Sequence, residues 1–113
     1  MLTADERYDL FKSTLVKCSS DILSKSDDLF EYTLYEDLPI SVVSFLHNNM
    51  LDVLIDEGYI DETIYNKVSE LREIYLGEEK GILDLGDPDR IKSSTGFRKM
   101  LDLADEIIEL LYI

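Results

Sequence analysis

The chain has 113 residues, with 25 acids and 11 bases, so its formal charge is −14 at pH 7. That length suits one domain with one real core, and an apolar content of 45% argues against wholesale disorder. The acidity argues against a nucleic-acid binder, which needs a basic face, and against a polybasic membrane-surface protein.

Thr3 and Glu6 have the spacing of a capping box, which places a helix start there. Tyr8, Phe11, Leu15, Cys18 and Ile22 follow at alternating steps of three and four, one apolar stripe. Residues 24–26 read as a break, with Ser26 capping a second, short helix from Asp27 to about Tyr35. Asp27 and Asp28 in its first turn favour the positive end of the helix dipole. Leu38-Pro39 reads as punctuation, because proline is tolerated in a first turn but not in a helix interior. A third helix is expected from Pro39 to Glu57, with Val43, Leu46, Met50, Val53 and Leu54 inside. Gly58 suits the position just past a helix end. Asp61 caps a fourth helix, and Ile60 with Tyr65 has the spacing of a hydrophobic staple. Ile64, Val68, Leu71 and Tyr75 form its stripe, and Gly77 is expected to end it.

Residues 77–87 hold three of the five glycines and read as the one substantial loop. Asp87-Pro88 is a cap-plus-first-turn pair. The last helix therefore starts there or, because Gly96 weakens the interval, near Ser94. Phe97, Leu101, Ala104, Ile108 and Leu111 carry its apolar face. The expected fold is all-α: a single helical domain over residues 1–113, an antiparallel bundle of about four to five helices, since short connections make neighbours antiparallel.

The charge is not spread evenly. Residues 1–25 carry four acids and four bases; residues 67–113 carry eleven acids and seven bases. Residues 26–66 carry ten acids and no base: Asp27, Asp28, Glu31, Glu36, Asp37, Asp52, Asp56, Glu57, Asp61 and Glu62. Apolar residues run through this block, so it is not a low-complexity tail. Tyr32 and Tyr35 lie among its first acids, and Tyr59 among its last. Tyrosine offers rigid, amphipathic contact area, and uncompensated acids steer a basic partner at high rates. Asp27, Asp28, Glu31, Tyr32, Tyr35, Glu36, Asp52, Asp56, Glu57, Tyr59, Asp61 and Glu62 are therefore the expected partner-binding residues. Solvated helix faces and caps explain part of the same pattern.

Side chains that carry chemistry are scarce. One histidine, His47, and one cysteine, Cys18, cannot build a zinc site, which needs three or four ligands. No Gly-rich phosphate loop and no Glu-x-x-His pair is present. His47 reads as a partly exposed helix residue and Cys18 as a buried, inert thiol. No catalytic residue, metal or cofactor is expected. A single cysteine, a charged first segment and no long apolar run fit a cytoplasmic protein.

Two families are resembled. Glu70-x-x-Glu73 and Asp102-x-x-Asp105, with the segment LADEIIELLYI after them, look like the paired carboxylates of the all-α nucleoside triphosphate pyrophosphohydrolases. That likeness implies Mg²⁺ held between two helices. It departs from the family at Asp102, where glutamate is usual, and no residues to hold the nucleotide are identifiable. The small, acidic, helical profile resembles bacterial toxin-immunity proteins, of the contact-dependent growth inhibition or bacteriocin type. The segments SELREIYLGEE and STGFRKMLDLADEIIEL look like the C-terminal half of some helical members. The Asp-Ser-Pro-x-Gly pattern of the DNase-colicin immunity family is absent, so no binding residue transfers by position. The resemblance implies a protein that covers the active site of a toxin, a basic nuclease domain, with an acidic surface. A phage-type inhibitor that mimics nucleic acid has the same physics.

Overall fold

Side-chain caps start four of the helices, and Gly58 ends one. The computed structural model describes residues 3–85 and 88–111, with residues 78–85 and 88 described by backbone alone. Among the described residues the secondary structure is all helical, with no strand. Helix α1 (Ala4–Lys17) starts at the expected capping box: Thr3 Oγ1 accepts from the Glu6 N–H, and Glu6 Oε1 accepts from the Thr3 N–H. A 3₁₀ turn (Ser20–Ser24) follows it. Ser26 caps α2 (Asp27–Tyr32) through the Leu29 N–H.

The chain does not break at Leu38-Pro39. Helix α2 runs through one wide turn (Thr33–Asp37) directly into α3 (Leu38–Phe45). In that turn the Leu38 N–H bonds the Thr33 carbonyl, five residues back. A proline inside a regular helix meets the carbonyl four residues earlier, and a widened turn just before Pro39 relieves that crowding. The missing Pro39 N–H then breaks nothing.

The actual break falls later, at Leu46-His47. The expected single helix from Pro39 to Glu57 is two: α3, then α4 (Asn48–Asp56), bent by 53°. His47 has extended backbone angles, and its Nδ1 accepts from the Met50 N–H at 3.2 Å, so it is the N-cap of α4. The other side of the break is satisfied by Arg72, which donates to the Leu46 carbonyl. The expected core of this stretch holds in part: Leu46, Met50 and Leu54 are buried, Val53 is half-buried, and Val43 points outward with Val42 buried beside it.

Helix α4 ends as expected. Gly58 has φ +81°, its N–H bonds the Ile55 carbonyl, and the Tyr59 N–H bonds the Leu54 carbonyl. That pair of bonds is a Schellman motif. Asp61 accepts from the Ile64 N–H at 2.9 Å and starts α5 (Glu62–Leu85). Over residues 77–85 the expected loop is helix instead: α5 continues through Gly77 to Leu85. Glycine costs a helix roughly 1 kcal/mol each, which a long helix packed over its earlier turns can absorb. The expected Asp87 cap lies outside the described residues. Both starts considered for the final helix occur, as α6 (Pro88–Ser93) and α7 (Thr95–Leu111).

The core gathers Phe11, Leu15, Cys18 and Ile22 from the first stripe, Leu38 and Val42 from α3, and Ile64, Val68, Leu71 and Tyr75 from α5. Helix α7 adds Phe97, Met100, Leu101, Ala104 and Ile107; it packs most extensively on α5 and also on α1. Ile107, not Ile108, is the buried residue of that turn. Phe30 meets Phe97 edge-on at 5.9 Å, fixing α2 against α7. No buried side-chain polar atom among the described residues lacks a partner.

Candidate functional site

Tertiary contacts supply counter-charges that the local sequence lacks. Lys17, at the end of α1, pairs with Asp37 at 3.1 Å and also meets Ser41. Lys92, on α6, pairs with Asp27 at 3.2 Å and lies 4.8 Å over the Phe30 ring. Two acids of the block are therefore partly neutralised. The other eight, Asp28, Glu31, Glu36, Asp52, Asp56, Glu57, Asp61 and Glu62, form no ion pair with the described residues. Their roles differ. Asp61 is bound up as a cap, and Asp52 accepts from the Tyr65 hydroxyl at 3.1 Å. That bond holds the Tyr65 phenol above its ordinary range.

The three tyrosines are not equivalent either. Tyr59 stacks on Tyr8 with centroids 4.7 Å apart, and its hydroxyl donates to Asp5 on α1. Tyr35 packs against the core, and burial, with Glu31 second, pushes its phenol up. Tyr32 alone stands free, 61% exposed. Two of the three are partly committed to holding the fold.

Two residues of the acidic block are anchored at opposite ends of α1. Asp37 meets Lys17 at its C-terminal end, and Tyr59 meets Tyr8 and Asp5 at its N-terminal end. Twelve residues of helix rise roughly 18 Å. A standard interface of about 800 Å² per partner is roughly 30 Å across, wider than that rise. Along the chain, Asp28, Glu31, Tyr32 and Glu36 form a first group near Asp37, and Asp52, Asp56, Glu57 and Glu62 a second near Tyr59.

The paired carboxylates of the pyrophosphohydrolase likeness are not gathered. No group of three or more His, Cys, Asp or Glu side chains among the described residues is placed to hold a metal ion. Asp105 instead accepts from the Ser20 N–H at 3.0 Å, tying α7 to the 3₁₀ turn. The nearby Glu106 pairs with Lys67 across to α5 at 2.7 Å. Cys18 is fully buried, and desolvation pushes its thiol up to about 12. A buried neutral thiol is a poor nucleophile.

No single helix among the described residues is long and apolar enough to cross a membrane, although the bent Asp27–Phe45 and Asn48–Asp56 pair together passes by length and composition. Compared with protein-family models, curated proteins and solved structures, the chain matches none of them.

Proposed function

We propose that this protein is a toxin-immunity protein. On this reading a single antiparallel helical bundle in the cytoplasm binds a cognate toxin domain, a basic nuclease, and covers its active site with an acidic surface. The observation that carries the reading is the set of acids left without a counter-charge after folding, with Tyr32 exposed among them. Like charges held close destabilise a fold, and a basic cleft relieves that repulsion on binding. Lys and Arg of the toxin would pair with Glu31, Glu36, Asp56 and Glu57, and the tyrosines would supply contact area. The mechanism is steric and electrostatic, and no residue of this chain does chemistry in it.

The test is to recover the chain with its partner from cells that carry it, dissociate the complex in high salt, and assay the released partner for nuclease activity. Re-adding the chain should silence that activity. Asp56→Lys with Glu57→Lys should weaken inhibition at least tenfold, mainly through slower association. Asp61 is left alone because its loss removes a helix cap. A released partner without nuclease activity would sink the reading. So would full inhibition by variants reversed in both acidic groups.

A further inference from the structure

We infer that the outer face of the continuous helix from α2 to α3 is a docking ridge for a cationic amphipathic helix of a protein partner. This deepens the inhibitor reading and rests on it for the partner being a basic protein.

The ridge has a regular geometry. Buried side chains recur every four residues at Phe30, Leu34, Leu38 and Val42. On the opposite face Asp28, Tyr32, Glu36, Ile40 and Ser44 are exposed at the same step. A regular α-helix turns about 40° past a full turn at every four-residue step, so such rows would spiral away. The wide Thr33–Asp37 turn takes up part of that drift and brings each row closer to one face. Leu29 and Val43 widen the outer row at its two ends.

With Leu29 and Val43 at its ends, the face carries more apolar surface than an outward face needs. Leu29, Tyr32, Ile40 and Val43 are 57–66% exposed, and they are four of the six exposed large apolar side chains among the described residues. Asp28, Glu31 and Glu36 interleave with them and form no ion pair with the described residues. An apolar row studded with carboxylates complements a partner row of apolar side chains flanked by Lys or Arg. A second copy of this chain would set the same carboxylates against each other. An anionic membrane surface would be repelled. A helix is the fitting shape, because rows at four-residue steps interdigitate with the same rows on a facing helix. The ridge from residue 28 to 44 spans roughly 24 Å, enough for about 16 residues of partner helix.

The probe is a synthetic amphipathic Leu/Lys peptide of about 18 residues. A shuffled peptide of the same composition, without an apolar face, is the control. Amide chemical shifts of the full chain should move over residues 28–44, and the shuffled peptide should bind about tenfold more weakly. Ile40→Ser with Val43→Ser should cost about tenfold in affinity. Glu31→Gln with Glu36→Gln should weaken binding at low salt and little at high salt. If the serine variant fails to fold, Leu29→Gln with Tyr32→Ser carries the same expectation. Equal binding by the shuffled peptide overturns the inference, as do shifts centred on residues 52–62 or full affinity in the folded ridge variants. Preference for phosphatidylglycerol vesicles over the peptide, or self-association through residues 28–44, also overturns it. Nuclease inhibition that survives loss of the ridge overturns the ridge and leaves the inhibitor reading standing. Ridge binding in a chain whose partner is no nuclease does the reverse.

Discussion

At the scale of single residues, several local signals act as they read. The Thr3–Glu6 capping box, the Ser26 and Asp61 caps and the left-handed Gly58 depend only on neighbours within a few positions. Cys18 is equally legible, because its place on an apolar stripe puts it in the core. Burial raises its thiol to about 12, so the folded chain holds that proton where an unfolded chain has released it. The folded state then binds more protons above about pH 9, and stability falls with rising pH. Its contribution is complete below pH 9 and is lost as pH climbs toward 12. The raised phenols of Tyr35 and Tyr65 push in the same direction. At pH 8 Cys18 should resist a thiol reagent until denaturant is added. The melting temperature should drop between pH 8 and 10.5, less so in Cys18→Ala relative to its own value at pH 8. Rapid labelling of the folded chain would contradict the burial.

At the scale of elements, proline and glycine mislead as punctuation. Pro39 interrupts nothing because the turn before it widens, and Gly77 lies inside α5. The break that does occur is marked by His47, whose imidazole serves as a cap acceptor where Ser, Thr, Asp or Asn is usual. Its signal in the sequence is weak for that reason. His47→Ala should lower stability by about 1 kcal/mol, seen as an earlier urea midpoint with an unchanged slope. His47→Asn restores an acceptor and should recover most of the loss. Equal losses in both variants would mean that packing, and not the cap bond, sets the cost. The exposed ridge of α2 and α3 belongs to this scale too. The wide turn brings positions 28, 32, 36, 40 and 44 closer into line than a regular helix would.

At the scale of the whole molecule, electrostatics dominates. The charge of −14 is opposed by few ion pairs among the described residues, and those pairs are partly exposed. Exposed pairs contribute about 0–1 kcal/mol each, too little to offset repulsion across the block. Salt should therefore stabilise the fold. Raising NaCl from about 0.01 M to about 1 M shortens the screening length from roughly 30 Å to 3 Å, and the melting temperature should rise by about 5 °C or more. A flat or falling melting temperature would show that the acids are too far apart to repel. The same screening should slow association with a basic partner, so salt should strengthen the fold while weakening the complex.

The sequence by itself determined the helical class, most helix starts and the main apolar stripes, since those follow from spacing and from caps that act over three or four residues. It also located the block of acids without bases. Only the tertiary structure decided which acids stay uncompensated, because Lys17 and Lys92 reach Asp37 and Asp27 from distant helices. It likewise separated Tyr32, left in solvent, from Tyr35 and Tyr59, which the fold partly takes up. Charge pairing and exposure depend on which helices meet in space, and no local pattern records that.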